Sequence, residues 1–271
     1  MPLVLCQQVE TTVPIEVGGI TPVLLAGQSG KQISSLSIKH GRTDVELGEL
    51  FKISGSIDDS QTIVFDGFLQ AVHSIGAAMK GGRIEIKTNA GRRVGVEMTG
   101  GEIVTNANVS DYLGFEMTGG TIRVAGDAGD SVGGHFPGSR FGMNRGSIFV
   151  DGSVGKGLGQ AMRRGTIVVG GDADELAGWN MHGGTIIVFG NCERHVGAGM
   201  KRGTIVTTGK QPELLPTFAK GSLATVPVLG MMAKWLEEQS FSCKSIEKLR
   251  STFQAFDGDL LEGGRGELFV A

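Results

Sequence analysis

Residues 162–190 read MRRGTIVVGGDADELAGWNMHGGTIIVFG, and the stretch contains nearly the same phrase twice. Met162-Arg163-Arg164-Gly165-Thr166-Ile167-Val168-Val169 returns nineteen residues later as Met181-His182-Gly183-Gly184-Thr185-Ile186-Ile187-Val188. An apolar residue five after the methionine and another seven after it make a period of two, the mark of a short strand with one face buried. Glycines on either side permit tight turns with positive φ.

The same phrase runs through half the chain. Its methionine recurs at Met79, Met98, Met117, Met143, Met162, Met181 and Met200, nineteen residues apart except for one gap of 26 between Met117 and Met143. Three after it stands glycine (Gly82, Gly101, Gly120, Gly146, Gly165, Gly184, Gly203), and five after it isoleucine (Ile84, Ile103, Ile122, Ile148, Ile167, Ile186, Ile205). The seventh position is apolar or Thr. Three before the methionine sits another glycine in every repeat but the fourth, where Arg140 takes the place. Nineteen residues is too short for a helix–turn–helix unit and suits one coil of a parallel β-helix, a solenoid whose coils stack about 4.8 Å apart. The expected fold is therefore all-β. Met and the fifth and seventh positions should form stacked columns inside, each buried Ile, Val or Met contributing roughly 1.5–3 kcal/mol. A further column ten after Met (Asn89, Asn108, Asp127, Ser153, Asp172, Asn191, Lys210) is read as turn chemistry, with stacked side chains able to ladder between coils.

Outside the array the pattern decays, and three regions are expected. Residues 1–75 form an irregular N-terminal cap from strand-like pieces (SLSIKHG, LFKISG, TIVFDG). Residues 76–209 carry the repeats, with an insertion near 133–140. Residues 210–271 hold a Pro-broken extended segment and two short C-terminal helices, over 229–239 and 244–256. Open solenoid ends expose strand edges, and both flanks are placed to cover them.

Composition limits the function classes. Glycine accounts for 46 of 271 residues without a Gly-X-Y period, and 40% apolar content argues for a folded core. A net charge of −3 gives no global reason to expect nucleic acid. Cys6, Cys192 and Cys243 form no CxxC pair and no zinc or iron–sulfur spacing, which fits a reducing cytoplasm. The N-terminus lacks a signal-peptide pattern, and the apolar run VPVLGMMA is too short to span a membrane.

Several motifs tempt without carrying chemistry. Gly27–Lys31 (GQSGK) lacks the first glycine of a phosphate loop, since Leu25 stands there, and Gln32 replaces the Ser/Thr. Gly155–Gly159 (GKGLG) resembles a dinucleotide fingerprint, but no helix follows and its last glycine belongs to the repeat. His182 and His195 lack a third metal ligand, and Asp127 with Asp130, or Asp172 with Asp174 and Glu175, read as turn residues more readily than as a general-acid pair. No catalytic, cofactor-binding or metal-binding residue is assigned. Two features stand out as contact surfaces. One is the insertion SVGGHFPGSRFGMNRG (131–146), which presents His135, Phe136, Pro137, Arg140 and Phe141. The other is a largely basic column one and two after Met: Lys80, Asn144, Arg145, Arg163, Arg164, His182, Lys201 and Arg202, with Thr99 and Thr118 between. Its natural partner is an acidic chain or subunit.

The repeated G-x-x-M-x-x-G-x-I-x-V-x-G pattern, its break after the third coil and PELLPTF (212–218) resemble the C subunits of formylmethanofuran dehydrogenase, above all those of the bacterial formyltransferase/hydrolase complex. The likeness covers at least residues 60–218. It implies a right-handed parallel β-helix acting as a structural subunit. The complex would move formyl from formyl-tetrahydromethanopterin to a methanofuran-type carrier and hydrolyse it to formate in one-carbon metabolism. Partners implied are amidohydrolase-like, formyltransferase and dehydrogenase-like subunits, with zinc in a partner and no cofactor in this chain. The carrier in that picture has an acidic, polyglutamylated tail, which the basic column is placed to guide. Two alternatives share the repeats. One is the tungsten- or molybdenum-containing dehydrogenase, and the other is the glutamate synthase C-terminal β-helix module, which is fused to catalytic parts not seen here. An autonomous polysaccharide-cleaving enzyme is disfavoured, since one Tyr, two Trp and no row of paired carboxylates leave it without aromatic platforms or an acid pair.

Overall fold

The computed structural model of the protein describes residues 1–57, 61–241, 243 and 245–271. Each repeat contributes one short strand: Arg83–Ile86, Glu102–Thr105, Thr121–Val124, Ser147–Val150, Thr166–Val169, Thr185–Val188 and Gly203–Thr207. Each pairs in parallel with the next, isoleucine over isoleucine from Ile84 to Ile205. A second column of parallel bridges runs through Ala90, Val109, Ala128, Val154, Ala173 and Cys192. In a third, the turn glycine of one repeat donates its N–H to the preceding repeat, as in Gly114 to the Val94 carbonyl at 2.8 Å and Gly178 to Leu158 at 2.7 Å. Backbone groups are thus satisfied one repeat away at three places around each turn.

The inward columns follow the sequence period. All seven repeat methionines and all seven isoleucines are fully buried, and the seventh position is buried even where it is Thr105 or Thr207. The larger of two buried clusters runs from Leu3 to Val270. The column ten after Met does more than turn the chain. The side-chain oxygens of Asn89, Asn108, Asp127, Ser153, Asp172 and Asn191 each accept the backbone N–H of the equivalent residue in the next repeat, at 2.6–3.0 Å.

The fourth repeat corrects the register read from sequence. Regular repeats close their turn with the methionine N–H donating to the glycine three before it, as in Met117 to Gly114 at 3.2 Å. Met143 makes the same bond to Gly133 at 2.8 Å. Arg140 therefore does not replace the turn glycine: Gly133 holds that place, and the extra residues loop out after it. The reason is steric. Gly133 has φ +68°, and a Cβ there would lie 2.6 Å from Ile167 Cδ1, just as one on Gly114 would lie 2.5 Å from Ile148 Cδ1.

The repeat strands belong to a thirteen-stranded sheet. At one end Thr62–Gly67 pairs in parallel with the first repeat strand, Leu3–Gln7 pairs in parallel with it, and Phe51–Ser54 closes the edge antiparallel. At the other end Gly266–Val270 pairs in parallel with the last repeat strand, followed antiparallel by Thr252–Gly258 and Ala219–Thr225. The piece TIVFDG thus joins the main sheet. SLSIKHG instead supplies Ser37–His40 to a separate four-stranded sheet with Thr43–Glu46, Ile15–Glu16 and Val72–His73.

The C-terminal helices differ from expectation. The first spans Pro227–Glu238, started by a proline that presets φ. The second, expected over 244–256, begins at a residue outside the described ones. Beyond it only a 3-10 turn Ile246–Arg250 forms, before the chain extends as Thr252–Gly258. Its Phe253 and Phe256 are buried, so pairing with Gly266–Val270 overrides local helix preference.

The long helix covers the outer face of the sheet. Leu229, Ala233 and Leu236 pack with Phe149, Val168, Ile187 and Val206, which point outward from repeats four to seven. Over repeats one to three the same position holds Glu85, Val104 and Arg123. Arg123 ends the covered region: its guanidinium lies 4.4 Å from the Phe149 ring centroid and donates to the Gln239 carbonyl at 3.0 Å. Among the described residues no helix is long and apolar enough to cross a membrane.

Truncating Ile167 to Ala should destabilise the full chain by about 2–5 kcal/mol in chemical unfolding, because the stacked column cannot collapse around the hole. Arg164→Ala, on the exposed turn, should stay within about 0.5 kcal/mol of the parent.

Candidate functional site

The looped-out insertion separates two clefts. On one side, Phe136 packs edge-on against Phe115 at 5.3 Å between centroids, and Phe115 against Tyr112 at 4.8 Å. The Phe136 N–H donates to Glu116 Oε1 at 3.0 Å, and His135 Nδ1 lies 2.8 Å from the Phe136 carbonyl oxygen. These contacts fix the start of the loop and leave a cleft of about 510 Å³ lined by Tyr112, Phe115, His135, Phe136, Pro137 and Arg93.

On the other side lies a basic pocket of about 330 Å³, lined by Phe141, Arg163, His182, Lys201, Arg202, Glu262 and Arg265. Phe141, at the end of the insertion, packs edge-on against the His182 ring at 4.9 Å. The guanidinium carbons of Arg163 and Arg140 lie 4.8 and 5.0 Å from the Phe141 centroid, a cation–π arrangement that orients both. Lys201 Nζ lies 3.6 Å from Glu262 Oε2, the one carboxylate in the lining. The pocket is closed from the C-terminal side by the return that carries Glu262 and Arg265. Asp259 pins this return, accepting the backbone N–H of Gly199 at 3.0 Å and of Leu261 at 3.1 Å. Burial opposes the charge of Asp259, but these donors outweigh it and hold the carboxyl below its ordinary value.

The two surfaces expected separately from sequence therefore meet. Arg140, Arg163, Lys201 and Arg202 gather around Phe141, whereas His135 and Phe136 face the aromatic cleft. Arg145 and Arg164 line neither cleft. Glu262 and Arg265 were not legible as site residues, because they lie some sixty residues beyond the last repeat. The one signal for them is the strand Gly266–Val270, which extends the repeat register and places Arg265 next to the layer of Arg202.

Several other sequence motifs take part in structural contacts. Ser29 caps the short helix Gly30–Ser34 in a capping box with Gln32, which accounts for GQSGK. Asp127 and Asp172 serve the ladder, and Asp130 accepts the Lys156 N–H at 2.9 Å. Glu175 receives hydrogen bonds from Arg194 at 2.7 Å and Lys156 at 3.4 Å, the first being the main cause that holds its carboxyl below the ordinary value. Both contacts favour its charged, accepting form. Burial pushes the Cys192 thiol up to about 12, far from a nucleophile. Among the described residues, no group of three or more His, Cys, Asp or Glu side chains is placed to hold a metal ion.

No family model matches the chain. Over 90 residues, 32% of its length, it is 34% identical to the C subunit of the tungsten-containing formylmethanofuran dehydrogenase 2 of Methanothermobacter thermautotrophicus. Over 80 residues it is 34% identical to the C subunit of the formyltransferase/hydrolase complex of Methylorubrum extorquens. These matches span 33% and 29% of those two relatives. In three dimensions the chain is similar to a chain in the crystal structure of the formyltransferase/hydrolase complex (FhcABCD) of Methylorubrum extorquens in complex with methylofuran. The TM-score is 0.90, with 32% identity, over 98% of this chain and 98% of that chain.

His182 should titrate below its ordinary value of 6.5, first because it is partly buried and then because Lys201, Arg140 and Arg163 surround it. Lys201→Gln should move the midpoint upward, and NMR titration of the imidazole protons reads this directly. Its depressed folded-state value stabilises the protein above pH 6.5, and that contribution is lost as the pH falls through the folded midpoint.

Proposed function

The chain belongs to the family of formylmethanofuran dehydrogenase C subunits and their formyltransferase/hydrolase counterparts, and from that premise we propose that it is the structural C subunit of a formyltransferase/hydrolase complex. The observation that carries this reading is the match to a chain of the formyltransferase/hydrolase complex along nearly its whole length. The complex so built would transfer formyl from formyl-tetrahydromethanopterin to a methanofuran-type carrier and hydrolyse the formyl carrier to formate, in the cytoplasm. Zinc and the reacting groups belong in this reading to the amidohydrolase-like and formyltransferase partners. The residues that converge on this chain's clefts are mainly cationic and aromatic side chains, which bind and orient.

In the same reading the three parallel columns of inter-repeat hydrogen bonds are those of a right-handed parallel β-helix, the usual hand of parallel crossover connections supporting the sense. Residues 76–209 would be its shaft, and 1–75 and 210–271 its two ends. The shaft would hold partners at a fixed spacing, with His135, Phe136, Arg140, Arg145, Arg163, Arg164, Lys201 and Arg202 as contacts to partners or carrier.

Native mass spectrometry of the tagged chain from its own cells, with metals quantified on the same sample, is the test. The expected result is a hetero-oligomer with formyltransferase- and amidohydrolase-sized partners and zinc. Tungsten or molybdenum with iron would move the assignment to the dehydrogenase, and a lone monomer would overturn the structural role.

A further inference from the structure

We propose that the aromatic cleft on the Phe136 side of the insertion seats an arginine side chain presented by a partner subunit. The proposal rests on the chain working inside a complex and adds the chemistry of one contact.

The rings are the first observation. Phe136 lies edge-on to Phe115 and Phe115 to Tyr112, with His135 and Pro137 also lining the cleft of about 510 Å³. Tyr112 is the chain's one tyrosine, and it stays 36% exposed. Its backbone is left-handed at φ +68°, and the same place in the fifth repeat is held by Gly157 at φ +71°. Glycine builds this turn without strain, so the turn does not require the ring, which lines the cleft instead.

Charge selects the occupant. Arg93, the one arginine of the lining, is already paired with Glu16. Three acidic residues bond directly to the residues that carry the rings. Glu97 donates its N–H to the Phe115 carbonyl at 2.7 Å, the Asp130 carbonyl accepts the Tyr112 N–H at 2.8 Å, and Glu116 Oε1 accepts the Phe136 N–H. Elsewhere carboxylates are matched by cations: Asp111 by Arg92, Glu102 by Arg83 and Arg123, Glu175 by Lys156 and Arg194. Among the described residues, no side-chain cation lies within 4 Å of the carboxylates of Glu97, Glu116 or Asp130. A cation entering here meets electron-rich ring faces and uncompensated carboxylates together.

Shape narrows the cation to arginine. Its planar guanidinium stacks on aromatic rings, is more weakly hydrated than an ammonium and engages a carboxylate through paired hydrogen bonds. Its apolar stem can lie along Pro137 and Phe136. The cleft is in the size range that buries a drug-sized molecule, so an arginine leaves room for the neighbouring residues that carry it.

The test replaces Tyr112 with the photo-cross-linker p-benzoylphenylalanine in the intact complex and reads the cross-linked partner residue by mass spectrometry. The expected product joins Tyr112's position to a partner segment beside an arginine. Glu97→Gln with Glu116→Gln, which keeps an acceptor for the Phe136 N–H, should weaken association with that partner at least about tenfold. Glu193→Gln, an exposed carboxylate away from the cleft, should leave association within about twofold. Thermal unfolding of these variants should match that of the parent, which separates a lost contact from a lost fold. A cross-link to a segment without arginine, a cross-link to a second copy of this chain, no cross-link in an assembled complex, or association indifferent to both glutamates would each overturn the seat. If the parent chain assembles with its partners and any of these results is found, only the arginine seat falls. If the parent chain has no partners, the structural role falls and takes the seat with it.

Discussion

Every repeat in this protein finds backbone partners in its neighbouring repeats. The bridge column, the turn glycines and the side-chain ladder from Asn89 to Lys210 all cross the same gap between layers. Three separate constraints at one spacing leave no slack for a register slip. A shift by one residue would turn Ile167 and Val169 outward and put Thr166 and Val168 in the core. It would also drive Ile Cδ1 atoms into backbone where glycine now gives way, as Gly114 does for Ile148. The extra residues between Gly133 and Met143 are therefore expelled as a loop, with the turn bond between those two residues kept intact.

That expelled loop gives the surface its asymmetry. A regular stack presents the same small turns at each level, whereas the insertion raises Phe136 on one flank and Phe141 on the other. Phe136 leans on the aromatic pair Tyr112 and Phe115. Phe141 leans on His182 and collects Arg140 and Arg163. The C-terminal return then closes the second cleft, and Asp259 fixes it by accepting two backbone N–H groups. A pair of clefts arises here from a break in a repeat, and an irregular loop on a regular scaffold is where contacts are commonly made.

The outer face of the sheet shows a second partition. Strands RIEI and TIRV alternate polar with apolar, while TIVV and TIIV are apolar almost throughout. Continuous apolar runs belong to strands buried on both faces, and the long helix lies over those that have them. The inward columns are plain in the sequence because seven repeats share them; the outward column is shared by four, so a C-terminal helix is legible there without its docking face. The segment that reads as a second helix through 256 is instead a strand, because Phe253 and Phe256 find their burial beside Gly266–Val270.

The repeat was written into the chain: its length, the residues that face inward, the glycines and the break after the third unit. These are local choices made seven times, so each copy corroborates the others and the period survives any single exception. The position of the break relative to the turn, and the residues gathered around it, came from folding. Spacing put Arg140 in the turn glycine's place, while the hydrogen bond from Met143 gives that place to Gly133. Glu262 and Arg265 reach the basic pocket through a strand pairing between residues some sixty apart, and Phe141 reaches it through the path of one loop. Such contacts depend on chain closure and side-chain packing across distant segments, and no period in the sequence encodes them.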